Sequence, residues 1–366
     1  MAKHLVLAGG GHAHMEILAN LGEFIKLGWR VTGIGPSDYH YYSGMGPGML
    51  GTTYEPDDIR FATRAQVEAQ GGTFVRDTIV AVDPQKRCLE LASGAQVEYD
   101  LVSFNTGSSI RRPEITGDQE KIYTVKPIER LYEAREAISS QADLHPIRVA
   151  VIGGGPAGAE ISGNLRELLA GSSCPAEVIL YAGRRFMGRF PEAVRQKSRR
   201  LLGRAGVKIV ENGYLQRIDD MHLVFDGTGG EAVDFILLAT GVHPSSFFET
   251  AGMAVGRDGG LLVNRFLQHV DYPEVFGGGD CISFQERELD KVGVYAVREN
   301  PVLLHNLKAI IQGQPLQAFD PGGDYLLIFN LGQGQGVLRK RWLNMSGRLA
   351  FKVKDWIDRK FIERFK

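Results

Sequence analysis

Cysteine is scarce. The chain has three, Cys88, Cys174 and Cys281, in 366 residues. No two stand in a CxxC or CxxxxC spacing, so a disulfide framework, a redox-active cysteine pair and a structural zinc site all lack their ligands. This usage fits a reducing cytosol. No run of about 18 apolar residues is present, the minimum for a membrane-crossing helix. Charge of one sign is also missing: the formal net charge is -1, which gives no purchase for nucleic acid. The apolar run Leu5–Ala8 leads straight into Gly9, Gly10 and Gly11, so a fold motif stands where a secretory signal would.

Glycine is what the chain has in quantity. The 46 glycines fall in clusters, which marks tight backbone turns and not a flexible linker. Hydrophobic residues make up 43% and charged residues 23%, the balance of a globular protein long enough for two or three domains.

His4–Ala8, a glycine turn, a helical stretch from Ala13 to about Leu27 and the apolar run Trp29–Ile34 read as a parallel βαβ unit. The pattern recurs at Ile147–Ile152, Gly153–Gly155, Ala157–Leu169 and Val178–Tyr181. Two copies predict two Rossmann-like α/β domains. Thr73–Val82 and Ala95–Phe104 read as intervening strands, and Asp234–Thr240 as the strand closing the second domain. Val275–Phe276 precedes Gly277–Asp280, and a helix from about Tyr295 to Ile311 follows. The division expected is 1–112 with 243–320, then 113–242, then a separate C-terminal block, 321–366. That block carries strands near Tyr325–Asn330 and Gly336–Trp342 and then a helix.

The second glycine motif, Gly153-Gly154-Gly155-Pro156-Ala157-Gly158, is a full GxGxxG between strand and helix. Gly153 permits the turn, Gly155 lets a pyrophosphate approach the backbone, and Gly158 lets helix pack on strand. The helix N-terminus offers N–H groups and a positive dipole end to phosphate. In the first motif, Gly9-Gly10-Gly11-His12-Ala13-His14, the third glycine is His14, so the helix is expected to sit further from its strand. The acid that usually binds ribose hydroxyls is absent after the second strand, where Ser37 or backbone groups must serve. Gly277-Gly278-Gly279-Asp280 suits a flavin ribityl chain, with the Asp280 carboxylate accepting from its hydroxyls; a plain helix cap is the alternative.

The order GGGHAH, NTG, GGGPAGAE, ATGVHP and VFGGGDC resembles the two-dinucleotide-domain flavoproteins, the pyridine nucleotide-disulfide oxidoreductase superfamily. Asp38–Met45, Asp58-Ile59-Arg60 and Lys291–Arg298 are similar to the type II NADH:quinone dehydrogenases and sulfide:quinone reductases. The histidine-containing first motif and Tyr42-Ser43-Gly44-Met45 are most similar to the dehydrogenase-like module fused to selenide, water dikinase. The resemblance implies FAD in the first domain, NADH or NADPH in the second, and a quinone reaching the flavin from the other face.

By that resemblance FAD is held by Gly9, Gly11, His12, His14, Ser37, Ser43, Gly44, Pro47, Arg60, Ile79, Thr106, Gly107, Asp280, Lys291 and Val294. Gly153, Gly155, Gly158 and Gly241 hold NAD(P)H. Glu160, Lys291 and Tyr295 are the catalytic candidates, Glu160 for proton handling; an ordinary helix carboxylate and a surface-loop lysine are the plainer readings of the first two. Neither His12 nor His14 is read as an acid–base group. No metal is expected. The missing cysteine pair excludes disulfide reduction and leaves sulfide oxidation without its two sulfurs.

Ala182 stands where an acid would favour NADH. Arg184 and Arg185 follow and suit a 2′-phosphate, which favours NADPH over NADH. Along Ser346–Lys366, Leu349, Val353, Trp356, Ile357, Phe361 and Phe365 form an apolar stripe flanked by basic residues. That pattern suits a helix lying in an anionic membrane surface; packing on the protein core or a homodimer contact gives the same stripe. The expectation is a cytoplasmic enzyme, peripheral on the inner face of the cell membrane, that passes electrons from NAD(P)H to a quinone. A reductase for a soluble acceptor, or a flavin or nucleotide sensor, are the alternatives.

Overall fold

The computed structural model describes residues 2–226 and 228–366. Two five-stranded parallel sheets dominate it, as the paired βαβ patterns predict. The first runs Val275–Gly277, Leu101–Phe104, His4–Ala8, Arg30–Gly35, Thr73–Arg76 across the sheet. The second runs Ile122–Thr124, Phe235–Leu238, Ile147–Ile152, Ala176–Tyr181, Val207–Val210. Their central strands are apolar without alternation because both faces are covered. Every residue of His4–Ala8 and of Phe235–Leu238 is buried.

Two expected strands are each divided. Thr73–Val82 is Thr73–Arg76 in the parallel sheet and Ile79–Asp83 in a separate antiparallel sheet with Cys88–Leu91 and Gln96–Glu98. The break falls where Asp77 Oδ1 accepts from its neighbour's N–H, Thr78, at 2.7 Å, a local bond that competes with the ladder. Ala95–Phe104 divides in the same way. The first helix is interrupted at Asn20 into Met15–Ala19 and Leu21–Lys26.

Beyond the helix Gly293–Gln312, three antiparallel strands, Leu327–Asn330, Gly336–Lys340 and Leu343–Gly347, lead into the helix Arg348–Phe365. The third strand replaces the first residues of the expected helix. This block is locked to the helix Pro156–Leu168 by backbone contact: a Cβ on Gly163 would stand 2.1 Å from the Leu331 carbonyl oxygen. The C-terminal helix buries Ala350, Lys354, Asp358, Ile362 and Phe365. Leu349, Trp356 and Ile357 of the expected stripe face outward, at 61%, 63% and 37% exposure. The core therefore takes a face rotated from the one that the apolar pattern marks. Among the described residues no helix is long and apolar enough to cross a membrane.

Candidate functional site

Both glycine turns open on one cavity of 1820 Å³, which runs between the carboxyl ends of the two parallel sheets. This is the crevice in which open α/β sheets bind their ligands.

The first turn is built around Asn105, at the end of the strand Leu101–Phe104. Its amide oxygen accepts from Ala13 N–H at 3.2 Å, and its amide donates to the Gly278 carbonyl at 2.7 Å. A Cβ on Gly9 would lie 2.3 Å from the Asn105 carbonyl oxygen, and one on Gly11 2.2 Å from its side-chain oxygen. These glycines are required by close approach. His14 is fully buried. Its Nδ1 donates to the Gly9 carbonyl at 2.7 Å, and its Nε2 accepts from the Ser103 hydroxyl at 2.8 Å. It fills the third-glycine place with a polar cross-link from turn to strand. Burial pushes its pKa down to about 4, so it is neutral and has no proton to exchange near pH 7.

The second turn keeps the glycine solution. A Cβ on Gly158 would stand 1.8 Å from the Gly153 carbonyl oxygen, and one on Gly154 2.3 Å from that of Ala182.

Gly279 and Asp280 line the cavity beside the first turn. Asp280 accepts from Lys126 Nζ at 2.6 Å and the Ser108 hydroxyl at 2.8 Å. Burial works to raise its pKa, but the Lys126 charge and these bonds outweigh it and hold the group below the usual carboxylate range. Glu299, fully buried on the helix behind, accepts from Gly279 N–H at 2.5 Å. Burial pushes it up to about 8, which favours the neutral acid near pH 7, and its bond to Gly279 fixes the turn.

The cavity fits a dinucleotide with a polar spine. His12 and Thr63 line it, and both leave a buried polar atom, His12 Nε2 and Thr63 Oγ1, without a partner. Buried donors left unpaired cost free energy, and a bound pyrophosphate or ribityl chain satisfies such groups. The family model for pyridine nucleotide-disulphide oxidoreductases matches residues 3–306. The chain belongs to that family. It is similar over 282 residues to ferroptosis suppressor protein 1 of Taeniopygia guttata, at 26% identity, covering 73% of this chain and 71% of that protein. A type II NADH:quinone oxidoreductase of Staphylococcus saprophyticus is 22% identical over 387 residues, covering 97% and 94%. Among solved structures, sulfide:quinone oxidoreductase of Aquifex aeolicus superposes with a TM-score of 0.78 at 18% identity, covering 100% of this chain and 91% of that one. NDH2 of Plasmodium falciparum in complex with NADH gives 0.79 at 14%, covering 100% and 97%. As a pyridine nucleotide-disulphide oxidoreductase the chain is an oxidoreductase whose cofactors are FAD and NAD(P)H.

Of the residues expected to hold FAD in this family member, Gly9, Gly11, His12, Ser37, Ser43, Gly44, Pro47, Ile79, Thr106, Gly107, Asp280 and Lys291 line the cavity. Arg60 does not: it pairs with Asp57 and lies over the Tyr39 ring, 4.0 Å from its centre. Val294 does not line it either, and stands in the first turn of the helix Gly293–Gln312. On the nucleotide side Gly153, Gly155 and Gly241 line the cavity. Gly158 lies behind the turn as packing. Arg184 and Arg185 are exposed and outside the lining, and Arg189 of the same loop is in it.

The catalytic candidates all border the cavity. Glu160 follows the second turn and is half-buried; its Oε1 accepts from Asn330 N–H at 2.8 Å. Burial pushes it up to about 7, against the pull of Lys354. Lys291 reaches the cavity already paired, its Nζ 2.8 Å from Asp258. Tyr295 meets Tyr325 edge-on at 5.6 Å.

Three residues escaped the sequence reading. Asn105 stands in the quoted NTG but carries no motif weight by type. Glu299 lies mid-helix, with no signal except a carboxylate among apolar neighbours. Lys354 reads as one lysine of a basic helix, yet it is buried, lines the cavity, and donates to the Gly44 carbonyl at 2.7 Å beside Asp358. Among the described residues no cluster of metal-binding side chains occurs.

Proposed function

We propose that the chain transfers a hydride from NADPH, in preference to NADH, to FAD and passes the electrons to a quinone at a membrane surface. The observation that carries this reading is the single cavity that joins both glycine turns and is bordered by Glu160 and Lys354. FAD, when bound, supplies the hydride and electron chemistry. The first turn, Asn105 and Asp280 hold the cofactor. The second turn presents N–H groups to the nucleotide pyrophosphate.

Glu160 handles the proton. With Oε1 occupied by Asn330, Oε2 carries it, and a pKa of about 7 suits a group that gives and regains a proton near neutrality. Lys354 holds a positive charge beside Gly44 and stabilises negative charge that develops there. Ala182, with Arg184 and Arg185 beyond it, supports NADPH: no acid repels a 2′-phosphate at that strand end. Residues 1–112 with 243–320 would form the FAD unit, 113–242 the nucleotide unit, and 321–366 the membrane unit.

The outward residues Leu349, Trp356 and Ile357, with Trp342 at 85% exposure, support a peripheral site on the inner leaflet, where Lys352 and Lys360 face anionic lipid. Removing the whole helix would also remove Lys354 and Asp358, so point charges are the cleaner test. Trp356→Glu with Leu349→Glu should keep NADPH-dependent reduction of a soluble dye and lose most quinone reduction in anionic vesicles. Equal quinone reduction with and without the two changes would contradict the membrane reading. A wild-type protein that reduces dyes but no quinone would favour a soluble acceptor.

A further inference from the structure

An exposed aromatic residue, Tyr214, stands beside Arg184. In the second sheet the strands Ala176–Tyr181 and Val207–Val210 lie side by side and parallel. Past their carboxyl ends come Ala182-Gly183-Arg184 and Glu211-Asn212-Gly213-Tyr214. Tyr214 lines the cavity and is 57% exposed. Tyr181, which also borders the cavity, is 1% exposed. The backbone makes room for the Tyr214 ring: Gly183 has φ +66°, and a Cβ there would stand 2.9 Å from Tyr214 Cε1. The Arg184 guanidinium lies 5.6 Å from the ring centre. Glu211, the carboxylate nearest to Tyr214 in sequence, is engaged by the Phe186 N–H and by Arg199, which offsets its charge.

We propose that Tyr214 is the stacking platform for the adenine of the pyridine nucleotide and that Arg184, held over the same ring, binds the ribose 2′-phosphate. This rests on the NADPH reading above and extends it to a residue that the glycine motif does not reach. Every base has a π-face and stacks on an exposed aromatic ring. An arginine can stack on the same ring system and present its planar fork to phosphate bidentately. Arg184 is exposed, so it can swing outward as the base enters. Ala182 leaves the ribose edge open.

The test uses two nucleotides without a nicotinamide, 2′,5′-ADP and 5′-AMP, titrated calorimetrically into the FAD-loaded full chain. Wild type should bind 2′,5′-ADP at least about tenfold more tightly than 5′-AMP. Arg184→Ala should abolish that preference and leave 5′-AMP unchanged. Tyr214→Ala should weaken both by about tenfold, and Tyr214→Phe should restore both. Unaltered binding of both nucleotides by Tyr214→Ala overturns the platform, and a preference that survives Arg184→Ala overturns the phosphate role. If wild type shows no preference but Tyr214→Ala still weakens both, the NADPH reading fails and the platform stands. If wild type binds neither nucleotide, the platform falls with that reading.

Discussion

The two glycine turns solve the same problem differently. In the second, the helix meets its strand through Gly158, which leaves no room for even a methyl group. In the first, that place holds His14, which spans the gap with two hydrogen bonds, to Gly9 and Ser103. At that third position one turn relies on close approach and the other on polar bridging. The lesson concerns motif reading: a lost glycine removes a contact, not the turn, when the replacement side chain can reach the groups left behind. His14 adds volume where a glycine would stand, and the same side chain supplies the bonds that tie turn to strand.

Four changes sharpen that comparison. The largest effect belongs to Gly158→Ala. Its methyl group would meet a backbone carbonyl, so the helix must shift, and the KM for NAD(P)H should rise by about a hundredfold or more with FAD content unchanged. Steady-state kinetics with flavin quantitation reads both, and an unchanged KM would mean that the turn can relax. Next is His14→Gly, which restores the usual motif. It should nevertheless destabilise the protein by about 2 kcal/mol, because the buried Ser103 hydroxyl and Gly9 carbonyl lose their partners. Urea unfolding measures this, and an equal or higher midpoint would show that the histidine is mere filler.

Third, Glu160→Gln should lower quinone turnover about tenfold or more and erase a break in its pH profile near 7. A break that persists assigns the proton to another group. The smallest is Glu299→Gln. The folded-state pKa of Glu299 is raised, to about 8, so the native chain binds more protons than the unfolded chain above the ordinary glutamate range. Stability should therefore fall as pH rises toward 8. The amide should flatten that slope, and a pH–stability curve identical to wild type would refute it.

Much of the fold was legible because parallel strands advertise themselves as short apolar runs ending in glycine. His4–Ala8, Ile147–Ile152 and Val275–Gly277 needed nothing more. The divided strand at Asp77 was not legible, since a side chain bonding its own neighbour leaves no periodic trace. In the site, glycines and Asp280 were visible because their residue types carry the chemistry. Asn105, Glu299 and Lys354 were not, because their importance comes from burial against partners 173, 20 and 310 positions away. The C-terminal helix shows the limit most plainly. The fold divides its apolar stripe, with Phe361 and Phe365 packed inward and Leu349 and Trp356 facing out, and spacing does not say which face meets the core. A buried lysine–aspartate pair took the inner face and left Leu349 and Trp356 outside.

The most direct measurement is anaerobic stopped-flow absorbance of the flavin band near about 450 nm, mixing the protein with NADPH or NADH and then with a soluble quinone. Rapid bleaching, faster with NADPH, followed by rapid recovery on quinone addition, is the predicted result. Bleaching that only a non-quinone acceptor reverses, or no bleaching with either nucleotide, would contradict it.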